Sequence, residues 1–126
     1  METNIGNFEH RLRLAREKRN AALGEFEKRR YMVVGDLVLK AVEQIIEAVA
    51  SREELHFHLN PRTAHARRTR WAKEKFPCIA GDLDIIWGAY GDLGYDGLNG
   101  RRAREAIEAV ERIINEIEKE IGIRLR

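Results

Sequence analysis

Apolar residues recur every three or four positions over most of the chain, which is the spacing of one face of an α-helix. Gly24 lies inside the first such segment, which leaves two arrangements open: a separate N-terminal helix over residues 1–24, or a helix that runs on past the glycine. Either way the segment predicts an amphipathic helix whose charged face points outward. Its apolar positions are Ile5, Phe8, Leu12, Ala15, Ala22 and Phe26.

The segment from Tyr31 to Ala50 has a different pattern, because apolar residues cover almost the whole helical circumference. A helix that is apolar nearly all round has to be enclosed by other elements. Asp36 is the polar exception in its first half and needs a partner if it is buried. We therefore predict that residues 31–50 form the central helix of the fold.

Two prolines divide the second half of the chain. Asn60–Pro61 is a typical helix start, because asparagine caps a helix and proline fits its first position. This predicts a helix over 61–76 that ends before Pro77. Leu55–Leu59 alternates like a strand but has no partner strand. Residues 51–60 are therefore predicted to be a connector whose Leu and Phe side chains close the end of the bundle.

Two further helices are predicted after Pro77, separated by a loop. Apolar residues step by three and four from Ile79 to Leu93, and again from Ala103 to Ile121. The run 91–100 between them is dense in Gly, Asp and Asn, which predicts a second connector. The whole chain, 1–126, is therefore predicted to be one all-α domain, an antiparallel up-and-down bundle of four or five helices.

Composition limits the class of protein. A chain of 126 residues with 44% apolar residues can build one core without disulfides or metals. Its longest unbroken apolar run, Tyr31–Val34, is far short of the roughly 20 residues that a membrane helix needs. The charged N-terminus does not resemble a signal peptide, and the single cysteine, Cys78, suits a reducing compartment. We expect a cytoplasmic protein that does not bind membranes.

The high charge content also gives a hypothesis about the source. Charged residues make up 35% of the chain, which has one glutamine and one cysteine. Such a composition is a tendency of thermophile proteins, where ion-pair networks become more useful.

The net charge of +2 is too balanced to identify a nucleic-acid-binding protein, but one segment is locally basic. Between His56 and Lys75, four Arg and two Lys stand against one Glu, a local charge of +5. On a helix over 61–76, Arg62, Arg70 and Lys73 lie within about 80° of each other, with Arg67 at the margin. This face suits a phosphate backbone. The alternatives are a solvated face, or docking onto segment 78–97, which contains four Asp and no Lys or Arg.

Signs of catalysis or metal binding are sparse. His56, His58 and His65 are residues of a type that ligates transition metals, but no carboxylate or thiol stands at a recognisable ligand spacing beside them. We therefore predict no metal and no other cofactor. The sequence contains no nucleophile elbow, P-loop or dinucleotide-binding motif. These observations favour a protein without catalysis.

Three features together resemble a known family: the enclosed helix 31–50, the motif Tyr-Gly-Asp-Leu-Gly-Tyr-Asp-Gly at 90–97, and a long closing helix rich in Ala and Ile. Over roughly residues 25–120 the chain resembles the HEPN superfamily of nucleotide- and RNA-associated helical bundles, and its small archaeal members most. The resemblance implies a homodimer, and many such proteins pair with a nucleotidyltransferase.

Other HEPN proteins are metal-independent RNases that carry an Arg followed, after four to six residues, by a His. Arg52 and His58 have this spacing here. The resemblance then implies that Arg52 binds a phosphate and that His58 moves a proton. Where the family often has Arg-Tyr in the later loop, this chain has Gly94–Tyr95.

Three functions follow from the sequence. The first is a dimeric or partner-binding helical module without catalysis, for which the charged, heptad-like N-terminal helix offers a surface for a second copy. The second is a nucleic-acid-binding module that uses the basic helix 61–76. The third is a metal-independent RNase of the HEPN type.

Overall fold

The fold was obtained as a computed structural model that describes the backbone of residues 4–95 and 100–126, and the side chains of residues 8–91 and 100–126. Within these ranges the chain is helical and contains no strand, which confirms the predicted all-α bundle. Short 3₁₀ turns lie at Phe57–Leu59 and Pro77–Ile79. The α-helices are α1 (Asn4–Glu27), α2 (Tyr31–Ser51), α3 (Ala64–Lys75), α4 (Ala80–Tyr95) and α5 (Gly100–Ile121).

α2 is the central helix, as predicted, and packs against all four other helices. Most of its apolar side chains are buried, including Val34, Val38 and Val42, each at most 2% exposed. At its first turn Met32 and Val33 remain 54% and 40% exposed. Asp36 is exposed as well and therefore needs no buried partner.

α1 runs past Gly24 without a break and ends at Glu27, so the question of where it ends is answered in favour of the longer helix. Its apolar residues Phe8, Leu12, Ala15 and Ala22 belong to the main core. The apolar stripe of α1 is thus buried within the chain, and its charged face points to solvent.

The start of the third helix is a correction. α3 begins at Ala64 and not at Pro61, because the backbone N–H of Thr63 donates to the carbonyl of Asn60 at 3.2 Å and closes a separate turn. The predicted end is confirmed. Lys75 is the last helical residue, and Phe76 has backbone angles outside the helical region (φ −129°, ψ 73°), because proline disfavours a helical conformation of the residue before it.

The connector predicted at 91–100 is also wrong in part. α4 continues to Tyr95 and α5 begins at Gly100, so residues 91–95 and residue 100 are helical. Residues 96–99 lie outside the described residues. Each glycine in a helix costs about 1 kcal/mol relative to Ala. α4 nevertheless remains helical over its four glycines, and it packs against α2 and α5.

The connector between α2 and α3 returns along α2, so that these two helices run parallel, an exception to the predicted antiparallel order. Glu47 pairs with Arg68, and Glu53, just past α2, pairs with Lys75, so residue numbers rise together along both helices. Of the side chains predicted to close the bundle end, Phe57 is buried at 4% exposed, whereas Leu59 is 73% exposed. None of the helices in the described part of the chain has the length and apolarity to cross a bilayer.

The C-terminal residues after α5 fold back onto the bundle, which the sequence pattern did not indicate. Gly122 ends the helix with φ +69°, in the left-handed region that favours glycine. Leu125 is 3% exposed and belongs to the core. Its N–H donates to Glu118 Oε2 at 2.7 Å, and its carbonyl accepts from Arg16 Nε at 3.1 Å. The tail therefore connects α5 to α1.

Candidate nucleic-acid interface

One buried arginine of α3 pairs with two glutamates of α2. Arg68 lies one helical turn from both Ala64 and Ala72, which are also buried. Its Nε donates to Glu47 Oε1 at 3.2 Å, and its Nη1 donates to Glu43 Oε2 at 2.8 Å. The Glu47 side chain is only 4% exposed. Such a carboxylate needs the cation beside it, because burying an unpaired charge is costly.

His58 joins this network from the connector. Its Nδ1 lies 3.1 Å from Glu47 Oε2, so each carboxylate oxygen of Glu47 has a partner. The His58 side chain is 33% exposed, and the ring of His56 stands edge-on to it at 5.9 Å. The network therefore holds the connector and α3 in a fixed position on α2.

Sequence reasoning missed this network, although two signals for it are present. Glu47 interrupts the apolar stretch between Ile45 and Ala50. Arg68 stands four residues from Ala64 and from Ala72, on the stripe that faces α2. A carboxylate and a cation that both fall on buried faces of neighbouring helices indicate a pair.

Half of the six cations in the basic segment are neutralised. Besides Arg68, Lys73 pairs with Asp84 on α4 at 2.8 Å, and Lys75 pairs with Glu53 at 2.9 Å. Lys73 was one of the four predicted nucleic-acid-binding residues. The alternative of docking onto the following acidic segment holds for this residue.

The other three predicted binding residues, Arg62, Arg67 and Arg70, form what we call the arginine surface. All three are exposed, and no carboxylate of the described residues pairs with them. Arg62 lies in the turn before α3, and Arg67 and Arg70 lie about 60° apart on its outer side. The guanidinium of Arg67 stands 5.5 Å from the centre of the Phe57 ring. The segment therefore presents a smaller cationic face than the sequence indicates.

Arg52 and His58, the candidate catalytic pair, contact different sides of α2. The Arg52 guanidinium is 5.8 Å from the Phe8 ring of α1 and lines a groove with Val49. His58 contacts Glu47. Val49 and Glu47 are two residues apart on α2, so their side chains diverge by about 160°. The structure therefore does not bring Arg52 and His58 together.

The histidines considered as metal ligands are also divided. His56 and His58 are neighbours, but His65 packs against Trp87 of α4, with ring centres 3.9 Å apart. Across the described side chains, no group of three or more His, Cys, Asp or Glu residues is placed to hold a metal ion. Cys78 is exposed at the start of the 3₁₀ turn before α4.

Comparisons with protein-family models, curated protein sequences and solved structures give no significant match to this chain. The resemblance to the HEPN superfamily therefore stays a hypothesis. Only the geometry of the chain's own residues bears on its function.

Proposed function

We propose that this chain is a binding module without catalysis, and that the arginine surface binds the phosphate backbone of a nucleic acid. One observation carries the proposal. Three exposed arginines without a carboxylate partner in the described structure cluster on α3 and the turn before it, while the other cations of the same segment are paired.

The pairing state decides which cations gain from a phosphate ligand. A cation that already contacts a carboxylate must give up that contact, whereas a solvated arginine exchanges only water. Each arginine–phosphate contact also releases condensed counterions from the nucleic acid. The planar guanidinium can donate two parallel hydrogen bonds to one phosphate. The buried Arg68 network supports this surface by fixing α3 on α2.

The first experiment measures binding of a labelled single-stranded RNA at 50 mM salt by fluorescence anisotropy. We expect the wild-type chain to bind. A triple variant, Arg62→Ala with Arg67→Ala and Arg70→Ala, should bind at least about tenfold more weakly, because fewer counterions are released when phosphate contacts are lost. The control is Lys73→Ala with Lys75→Ala, which removes paired cations from the same segment and should change the affinity much less. Absence of wild-type binding, or equal losses in both variants, would contradict the proposal.

A second candidate function is metal-independent cleavage of the bound RNA, and it is favoured by the His58–Glu47 contact of 3.1 Å. A carboxylate on Nδ1 orients the imidazole and leaves Nε2 for proton transfer. In this reaction Nε2 of His58 accepts the proton of the ribose 2′-hydroxyl, whose oxygen attacks the adjacent phosphorus and forms a 2′,3′-cyclic phosphate. The bond from phosphorus to the 5′-oxygen breaks, and that oxygen takes a proton from water and leaves as a hydroxyl. The arginine surface, and not Arg52, would hold the phosphate.

This second function predicts that RNA incubated with the protein and a metal chelator is cleaved, and that His58→Ala reduces the rate by about 10²-fold or more, the usual contribution of a general acid or base. Product separation on a denaturing gel gives the rate. Arg52→Ala is the matched control and should leave cleavage unchanged. Cleavage that persists in His58→Ala would exclude His58 as the proton carrier.

Association with other chains is a separate proposal that comes from the HEPN resemblance. The proposed associations are a homodimer and a complex with a nucleotidyltransferase, both in the cytoplasm. Since the apolar stripe of α1 is buried against the core, a second copy that docks on α1 would meet its charged outer face. Such a contact would depend on ion pairs and would weaken with salt.

A further inference from the structure

The turn between α1 and α2 carries three consecutive cations, Lys28, Arg29 and Arg30, and all three are exposed. Arg30 pairs with Glu25 at 3.4 Å, but its side chain remains 62% exposed. No carboxylate of the described residues pairs with Lys28 or Arg29. We call these three residues the cationic turn. They form a second cationic surface, separate from the arginine surface.

The backbone of this turn is strained at Arg29. Its φ of 61° lies in the left-handed region, which favours glycine and which other residues occupy only at an energetic cost. Arg29 follows closely on the end of α1 at Glu27, a place where helices commonly have a glycine. Strained residues are concentrated at functional sites. An exposed arginine in this conformation therefore favours a functional role for its side chain.

The first half of α2, which follows the cationic turn, is uncovered on the side that faces α3. Glu43 and Glu47 mark that side, because both pair with Arg68. α3 begins one turn before Arg68, so it lies against the second half of α2. Three exposed residues of the first half lie within about 80° of one another and of the two glutamates around the helix: Met32, Asp36 and Lys40. We call them the open stripe.

The open stripe lies between the cationic turn and the arginine surface. Lys40 precedes Glu47 by seven residues, and Arg62 precedes Arg68 by six. Because Glu47 pairs with Arg68 and the two helices run parallel, Lys40 lies near the level of the turn that carries Arg62. α3 lies on the side of α2 that carries the stripe. The stripe therefore faces in the same direction as the outer side of α3.

The stripe has cations at both ends. At one end Lys40 pairs with Glu43 at 3.4 Å and remains 61% exposed. The helix advances about 15 Å from Lys40 to Arg30 in the cationic turn. Asp36 lies between them, so a phosphate backbone that follows the stripe would meet cations at each end and pass one carboxylate.

We infer that a nucleic acid bound at the arginine surface continues along the open stripe and contacts the cationic turn. The inference rests on the proposed function and adds a second contact region and the length of the ligand. A phosphate at Lys28 or Arg29 replaces water and breaks no ion pair of the described structure. A stacked strand advances about 3.4 Å per nucleotide, so the stripe corresponds to about four or five nucleotides.

The main test is the double variant Lys28→Ala with Arg29→Gly, measured by fluorescence anisotropy with a labelled single-stranded RNA of about 12 nucleotides. We expect at least about fivefold weaker binding at about 50 mM salt, and a salt slope about 1.4 units shallower, because each phosphate contact contributes about 0.7. Glycine fits the backbone conformation at position 29. The variant should therefore fold like the wild-type chain, which thermal denaturation followed by circular dichroism checks.

The matched control removes two cations from the outer face of α1, Arg13→Ala with Lys18→Ala. Both residues are exposed and have no carboxylate partner in the described structure. The control changes the net charge by the same amount as the turn variant. Since α1 lies outside the inferred route, its affinity for the RNA should stay close to that of the wild-type chain.

A substitution with the opposite effect tests the route itself. Asp36→Asn removes the carboxylate that the phosphates pass and should strengthen binding about twofold, the size of one exposed charge interaction. Glu108→Gln is its control, because it removes an exposed carboxylate from α5 and should leave the affinity unchanged.

The outcomes distinguish this inference from the proposed function. If the triple arginine variant loses affinity but the turn variant binds no more weakly than its α1 control, the inference is wrong and the arginine surface stands. The same holds if Asp36→Asn does not strengthen binding. If the RNA does not bind the wild-type chain at all, both are wrong. Selective loss in the turn variant, together with tighter binding of Asp36→Asn, supports the inference.

Discussion

Replacing Arg68 with methionine is expected to lower the free energy of unfolding by about 3–5 kcal/mol, the usual cost of removing one partner of a buried ion pair. Methionine fills much of the space of the arginine stem, so the effect reports mainly the lost charge. Glu47, at 4% side-chain exposure, would keep only His58 as a partner. Urea denaturation followed by circular dichroism measures the change.

Two variants control this prediction. Lys75→Met breaks the half-exposed pair with Glu53 and should cost no more than about 1 kcal/mol. Combining Arg68→Met with Glu47→Leu removes both buried charges and should recover most of the loss, since well-packed apolar residues often replace a buried pair without cost. If Arg68→Met costs as little as Lys75→Met, the network does not hold α3 on α2.

Leu125→Ala is expected to cost about 2–5 kcal/mol, as do other large-to-small changes in a core. Leu125 is 3% exposed and lines a small pocket with Ala15, Ile45 and Ile114. These neighbours come from three different helices, so the cavity left behind cannot close through a shift of one element. Thermal or urea denaturation gives the value.

The matched control for the tail is Arg126→Ala at the next position. Arg126 pairs with Glu111 and Glu118, but its side chain is 30% exposed, so its loss should cost no more than about 1 kcal/mol. Equal effects of Leu125→Ala and Arg126→Ala, or no effect of either, would mean that the tail is not docked in the core.

Periodicity predicts the long helices of this protein well because each buries one face continuously. Residue spacing directly predicts the apolar stripe of α5, from Ala103 to Ile121. It also predicts the apolar pattern that covers nearly the whole circumference of α2. Their burial is a property of consecutive turns of one helix, so no knowledge of neighbouring elements is needed.

The incorrect predictions concern elements whose structure depends on residues far away in the chain. Gly91 and Gly94 are typical of turns, but both belong to α4, a helix that packs against α2 and α5. Leu125 lies in a short C-terminal tail, and its burial depends on the space that α1 and α5 provide. Local composition indicates neither the length of α4 nor the burial of Leu125, because the decisive contacts join residues far apart in the chain.

The candidate site shows the same division. Composition alone located the basic segment, and helical angles placed Arg62, Arg70 and Lys73 on one face of it, with Arg67 at the margin. Which cations are neutralised depends on Glu47 and Asp84, on other helices. Their positions follow from the tertiary fold, so the sequence overstated the positive charge available to a ligand.

The salt dependence of RNA affinity tests the arginine surface most directly. For a single strand, the slope of log K against log salt concentration changes by about 0.7 for each phosphate contact. If all three arginines contact phosphates, the triple alanine variant should therefore show a slope about 2 units shallower than the wild-type chain, measured by anisotropy between about 50 and 200 mM salt. Equal slopes in the two proteins would contradict the account.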